Sequence, residues 1–107
     1  MKKQRAVRVP VAYTTYRLKT QKKMGPLGRV DYGKKTISVN KTMQDYGQWS
    51  TSFWHEWFHA VFHENGYISV SENEALIESS AQALMRMFTD PQGRLLLKGM
   101  LKHVAPK

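Results

Sequence analysis

The chain of 107 residues is long enough for one small domain with a single hydrophobic core and too short for two. It has no cysteine, which excludes disulfide bonds and cysteine-ligated zinc, so a metal site would have to use histidine and carboxylate ligands. No apolar run has the length of a signal peptide or a membrane span, and a soluble, intracellular protein is expected.

The net charge of +9 is distributed unevenly along the chain. Residues 1–44 hold twelve Lys or Arg and one acidic residue, residues 45–90 hold one Arg and seven acidic residues, and residues 91–107 add four basic residues. Such a basic frame attracts nucleic acid or an acidic partner protein, but it is also typical of a solvated surface. No nucleic-acid-binding motif accompanies the charge, which favours the solvated surface.

The first part of the chain has the pattern of β-strands. Residues 1–6 are interpreted as a basic tail, and residues 7–11 then alternate valine with arginine or proline. Residues 13–19 are rich in β-branched and aromatic residues, so at least one strand is predicted here. Pro10 cannot donate a hydrogen bond in a central strand, so its segment should lie at a sheet edge or a strand start.

A β-hairpin is predicted after a loop at residues 22–28, which contain two glycines and a proline. Residues 29–32 and 36–40 read as its two strands, joined by a Gly-Lys-Lys turn. Period-two alternation places Ile37 and Val39 on the same face of this hairpin.

A long helix is predicted next. Asp45 or Ser50 could act as its N-cap, and Asn65-Gly66 should end it, because Gly66 suits the left-handed conformation past a helix end. Its large apolar residues recur at spacings of three and four and form a second stripe, so the helix should be buried on nearly all sides. These core residues are Trp49, Phe53, Trp57, Phe58, Ala60, Val61 and Phe62.

Two further helices complete the predicted domain. Ser71 and Glu74 match a capping box in which Ser71 is the N-cap, and the helix that follows should run to about Phe88. Asp90-Pro91 then predicts the C-terminal helix, with Asp90 as N-cap and Pro91 in the first turn.

The long helix contains His55-Glu56-Trp57-Phe58-His59, an H-E-x-x-H motif. In a helix, His55 and His59 lie one turn apart on one face and can both reach one zinc ion at about 2.0–2.1 Å. Glu56 lies beside them without being a ligand, which suits a base that deprotonates a water molecule on the metal. An apolar core would leave these groups unsatisfied, so metal coordination explains them better than ordinary burial.

The third ligand has to come from elsewhere in the chain. His63 lies about 12 Å along the helix axis from His55, too far to share one metal ion with both motif histidines, and His103 is a weak candidate near the C-terminus. Glu74 and Glu78 on the next helix remain, one turn apart. Glu74 already has a duty in the capping box, whereas an unpaired Glu78 would be costly among apolar neighbours. Glu78 is therefore favoured as the ligand, and Glu74 as an acceptor for a histidine N–H.

The order of hairpin, H-E-x-x-H helix and glutamate-bearing helix resembles the gluzincin metallopeptidases, in particular their minimal single-domain forms. The closest likeness is to small phage- and prophage-encoded metallopeptidases related to the ImmA/IrrE-type domain. It covers roughly Gly28 to Pro91 and rests on residues 31–39, 55–61 and 77–84.

This resemblance implies an α+β fold in which a small antiparallel sheet with a hairpin packs against the H-E-x-x-H helix and a second, ligand-bearing helix. It implies a cytoplasmic zinc metallopeptidase, in a bacterial or phage-infected host cell, that hydrolyses a protein or peptide substrate. One Zn²⁺ would be held by His55, His59 and Glu78, and Glu56 would be the catalytic base. In such families the strand before the zinc helix lines the substrate cleft, which gives that role to residues 36–40.

Two alternatives stay open at this point. The oxyanion partner could be Tyr67, His63 or Tyr46, among which spacing does not choose. The function could also be that of a zinc-stabilised basic module that contacts DNA or an acidic protein without catalysis, or of a metal-binding core without activity. Glu56 favours the enzyme, because a purely structural metal site does not require it.

Overall fold

The structure, a computed structural model, describes residues 7–21, 27–40 and 45–104. The predicted basic tail at residues 1–6 and most of the predicted loop at residues 22–28 lie outside this part of the chain. No helix in the described part is both long and apolar enough to cross a membrane.

The fold is α+β, as predicted, with all strands preceding all helices. The strands are β1 (Val7–Val11), β2 (Thr14–Gln21), β3 (Gly28–Asp31) and β4 (Thr36–Asn40). The helices are α1 (Tyr46–Glu64), α2 (Ile68–Ser71), α3 (Glu74–Thr89) and α4 (Pro91–Val104).

The four strands form one sheet in the order β1-β2-β4-β3. The predicted hairpin is present, since β3 pairs with β4 in antiparallel fashion, and β1 pairs with β2 in the same way. The sheet is mixed rather than wholly antiparallel, because β2 and β4 are parallel neighbours. The hairpin docks through β4, so β4 is interior and β3 lies at the edge. Pro10 lies in β1 at the opposite edge, where its missing N–H is tolerated.

The core lies between one face of the sheet and α1. Tyr16, Ile37 and Val39 are fully buried in the sheet and pack with Ala60 of the helix. The aromatic stripe of α1 covers them, but only His59 and Ala60 of this helix are buried outright and most of the rest is half-buried. No residue of α1 from Trp49 to Glu64 is exposed, so the helix is covered on all sides as expected but less deeply.

Local signals for the helix ends are confirmed at several points. The Asp45 side chain caps α1 by accepting from the Gln48 N–H at 2.8 Å, and Gly66 adopts a φ of +83° just past its end. Asp90 accepts from the Gln92 N–H at 2.8 Å and precedes Pro91 at the start of α4.

The predicted capping box is wrong. Ser71 is the last residue of α2, and α3 begins at Glu74 with Asn73 as its N-cap, whose side chain accepts from the Leu76 N–H at 3.1 Å. The Ser71 hydroxyl is engaged elsewhere, because it is buried and donates to the His59 carbonyl at 2.9 Å. A tertiary contact thus removes Ser71 from the local role that its spacing to Glu74 predicted.

Candidate metal centre

The two motif histidines project from the same face of α1, as the four-residue spacing predicts. Their Nε2 atoms lie 3.2 Å apart, and the two rings are inclined by 64°. His59 is buried, and the side chain of His55 is 19% exposed, so the pair lies at the base of a surface depression. Two unprotonated ring nitrogens in this arrangement offer lone pairs to one ion.

Glu74 brings a third donor to the same point from the first turn of α3. Its Oε1 lies 2.9 Å from His55 Nε2 and 3.3 Å from His59 Nε2. Tetrahedral ligands at about 2.0–2.1 Å from a zinc ion are separated by roughly 3.3 Å, which is close to the observed spacings. His55, His59 and Glu74 therefore form a group that could hold a metal ion.

The other ring nitrogen of each histidine has an acceptor of its own. His59 Nδ1 lies 2.5 Å from the Ser71 carbonyl, which can only accept, so Nδ1 carries the proton. His55 Nδ1 lies 2.7 Å from Glu78 Oε1. The contact of His59 fixes the tautomer that leaves its Nε2 free for a metal, whereas His55 has a carboxylate oxygen at each ring nitrogen. Acceptors on the Nδ1 side of the ring are usual for metal-binding histidines. This arrangement is compatible with a metal ion shared by the two Nε2 atoms.

Glu78 thus does not take the position that the sequence favoured for it. Glu78 contacts the Nδ1 side of the His55 ring and accepts a further hydrogen bond from Gln82 at 2.8 Å, whereas Glu74 lies beside the two Nε2 atoms. The two glutamates thus exchange the positions expected of them, since α3 begins later than Ser71 and Glu74 is not held in a capping box. His63 and His103 are not members of the group, as expected.

Glu56 lies between α1 and the edge strand β3. A Cβ atom at Gly28 would stand only 2.9 Å from Glu56 Cγ, so glycine allows the strand to touch this side chain. Burial raises the pKa of Glu56, the charges of His55 and His59 oppose that shift, and Glu74 adds to it. Within the described residues no hydrogen bond or ion pair satisfies its carboxylate. A half-buried carboxylate of this kind retains both the room and the basicity to exchange a proton with a small molecule.

Two depressions meet at the motif. One, of about 570 Å³, is lined by Leu27, Gly28, Thr51, His55, Glu56 and Glu78 among others. The other, of about 360 Å³, is lined by Gly28, Val30, Tyr32, His59 and Glu74 among others, and it shares Gly28, His55 and Glu56 with the first. The group of His55, His59 and Glu74 and the neighbouring Glu56 are therefore accessible from both sides of the motif, as a reactive site has to be.

The strand that lines the two depressions is β3, not β4 as expected. β4 (Thr36–Asn40) is paired on both sides, with β2 and with β3, and it contributes no residue to either depression. The residues at the depressions come from the edge strand β3 instead. A hairpin that docks through its second strand leaves its first strand beside the motif.

The three expected oxyanion partners do not line these depressions. Tyr46 and Tyr67 are exposed at 83% and 59%, and His63 stacks on Tyr32 with ring centroids 3.8 Å apart. Tyr32 is the tyrosine that lines the smaller depression, and it was missed. Its hydroxyl lies 3.3 Å from Ser71 Oγ, which already donates to His59, so Tyr32 is the donor in that contact. A signal was present, since Tyr32 immediately follows a strand of the predicted hairpin.

Comparisons of the chain with protein-family models, with curated proteins and with solved structures found no match. The functional conclusion therefore rests on the site itself.

Proposed function

We propose that the protein is a zinc-dependent metallopeptidase in which His55, His59 and Glu74 hold the ion and Glu56 is the catalytic base. The observation that carries this proposal is the convergence of three donor atoms within about one zinc coordination sphere, with an unpaired carboxylate beside them. A His₂Glu set leaves one tetrahedral position open, which distinguishes reactive zinc sites from closed structural ones.

A bound zinc ion would supply a Lewis acid that polarises water and the scissile carbonyl. Glu56 then takes the proton from the attacking water and returns it to the leaving amine, and a raised pKa suits both steps near neutral pH. The Nδ1–H contacts of His55 to Glu78 and of His59 to the Ser71 carbonyl hold the two rings in place during this exchange.

The edge of β3 is suited to hold the peptide. The Asn40 N–H donates to the Leu27 carbonyl at 2.8 Å, so this pair is hydrogen-bonded across the antiparallel ladder. Because bonded and non-bonded pairs alternate, the N–H and C=O groups of Gly28 and Val30 point away from β4. No strand in the described part of the chain pairs with this edge, so an extended peptide could add to it beside Glu56.

Zinc loading and one isosteric substitution test this function. The parent protein, stripped with a chelator and titrated, should take up about one zinc ion per chain and cleave members of a fluorescence-quenched peptide library. Glu56→Gln should bind zinc as the parent does and lose hydrolysis, because an amide cannot accept the proton. His59→Ala should lose both.

Each contrary result has a definite meaning. Loss of zinc by Glu56→Gln would make Glu56 a ligand and overturn its assignment as base. Stoichiometric zinc binding by the parent without cleavage of any library peptide would support the zinc-stabilised binding module in place of the enzyme.

A further inference from the structure

The sheet has a second face that α1 does not cover. Alternation along the strands places the core residues toward α1 and the intervening residues on the opposite face. α1 is the helix that packs against the sheet in the described part of the chain. The exposed basic residues of this outer face are Arg8 on β1, Arg17 and Lys19 on β2, and Arg29 on β3.

The strand register brings these cations close together. Arg8 lies directly opposite Arg17 across the β1–β2 pair. Lys19 and Arg29 flank Ser38 from the two sides of β4, in one row across the sheet. The four strands span about 14 Å, at roughly 4.8 Å per spacing. The outer face therefore concentrates positive charge that in the sequence is spread over twenty-two residues.

No carboxylate neutralises this group within the described residues. The ion pairs of the structure involve other cations, for example Lys35 with Glu64 and Arg86 with Asp90. Asp31 lies on the same face in the row of Arg8 and Arg17, separated from Arg17 by Thr36; it forms no ion pair with the four cations, and its carboxylate accepts from the Lys34 N–H at 2.9 Å. Like charges directly opposite on a sheet are unfavourable, so the Arg8–Arg17 pair is not explained by stability.

We propose that this outer face of the sheet, formed by Arg8, Arg17, Lys19 and Arg29, binds the phosphate backbone of duplex nucleic acid without sequence preference. Three of the four cations are arginine, whose planar guanidinium matches phosphate oxygens. The strand positions between them are small, polar or proline, so the face lacks the apolar side chains that a membrane-binding surface inserts. It also lacks aromatic side chains on which single-stranded bases would stack, which favours a duplex.

The proposal goes beyond the peptidase function. The metal site lies on the side of the sheet that α1 covers, and of the four cations only Arg29, on the edge strand β3, also lines the smaller depression beside it. Under this proposal, basic residues that are spread along the sequence lie together on the outer face of the sheet and bind nucleic acid. The peptidase would act while held on nucleic acid.

The test uses a fluorescently labelled 24-base-pair duplex of arbitrary sequence and anisotropy at several salt concentrations, on the full chain. Four phosphate contacts predict a slope of about −3.6 in a plot of log affinity against log salt, and an affinity loss of about 100-fold between 50 and 200 mM salt. Arg8→Gln/Arg17→Gln should reduce the slope by about 2 and weaken binding at low salt by at least 10-fold.

A matched control comes from α4, where Lys98 and Lys102 are exposed and the helix does not pack on the sheet. Lys98→Gln/Lys102→Gln removes the same net charge and should leave the slope near that of the parent. Arg8→Lys/Arg17→Lys keeps the charge and should keep most of the slope, while circular dichroism checks that each variant is folded.

Equal weakening by the α4 control would overturn the proposal, because the effect would then follow net charge alone. Stronger binding to phosphatidylserine vesicles than to the duplex would overturn it in favour of a membrane surface. Unchanged zinc titration in the Arg8/Arg17 variant is expected, so failure of this proposal and failure of the metal site are separately visible.

Discussion

Replacing each of the two glutamates of α3 by glutamine tests which of them binds the metal. Glu74→Gln and Glu78→Gln are the same change one helical turn apart, and neither removes side-chain volume. Glu74 Oε1 lies 2.9 Å from His55 Nε2, on the side where both Nε2 atoms meet, whereas Glu78 Oε1 lies 2.7 Å from His55 Nδ1. We expect Glu74→Gln to lose far more zinc affinity than Glu78→Gln.

The size of the difference follows from these positions. Zinc sites in small domains bind with about 10–16 kcal/mol through four ligands, so one ligand contributes roughly 2.5–4 kcal/mol, or about 10²–10³-fold in affinity. A neutral amide at residue 74 retains little of this. In Glu78→Gln the amide oxygen can still accept the Nδ1–H of His55. The loss of zinc affinity should therefore be about 10-fold or less, the low end for residues that hydrogen-bond a metal ligand.

Competition against a chromophoric zinc chelator at neutral pH measures both affinities on the same scale. Melting of the metal-free proteins supplies the control, because Glu74 also stands at the N-terminus of α3 and its charge there contributes about 0.3–1 kcal/mol to stability. That contribution alters the melting temperature without altering the ratio of affinities. Equal losses in the two variants, or a larger loss for Glu78→Gln, would refute the assignment of Glu74 as ligand.

Two more predictions concern contacts around the site. Ser71→Ala removes the hydroxyl that donates to the His59 carbonyl and should lower zinc affinity by about 10-fold. Ser80→Ala removes a similar hydrogen bond to the Leu76 carbonyl and should leave zinc affinity unchanged. Equal zinc affinities of the two variants in the chelator assay would contradict this prediction. Hydrogen bonds from Lys35 and Tyr16 hold the pKa of Glu64 below its ordinary value, so their stabilisation is complete above about pH 4.5 and is lost as the pH falls through the lower folded-state pKa. In urea unfolding, the parent should therefore lose stability more steeply than Glu64→Gln below pH 4.5, and parallel pH profiles would count against the contact.

Several features set by neighbouring residues were predicted correctly from the sequence, although the capping box of Ser71 and Glu74 was not. Asp45, Gly66 and Asp90 act on helix ends within three residues of themselves, and all three have the roles that their chemistry indicated. The hairpin of β3 and β4 belongs to the same class, because a short turn determines its pairing.

The order of the strands was not predictable in the same way. The parallel pair of β2 and β4 joins residues such as Leu18 and Ile37, which no local turn brings together. The pattern of apolar residues assigns Ile37 to a buried face but does not say which strand lies next to it. This non-local pairing explains why β3, and not the expected β4, lies beside the motif. It also explains why Tyr32 lies at the smaller depression.

Our proposal of Glu74 rather than Glu78 as the ligand rests on the orientation of a histidine ring, which cannot be read from the spacing of residues in the sequence. Both glutamates reach His55, one at each ring nitrogen, so that ring alone is compatible with either ligand. His59 removes the ambiguity, because the Ser71 carbonyl accepts its Nδ1–H and turns its Nε2 toward His55 Nε2. An ion shared by the two histidines then has to lie on the Nε2 side, where Glu74 is. The Ser71 carbonyl is available to accept the His59 Nδ1–H because α2 ends at Ser71. Since Ser71 ends α2, it does not act as the N-cap of α3.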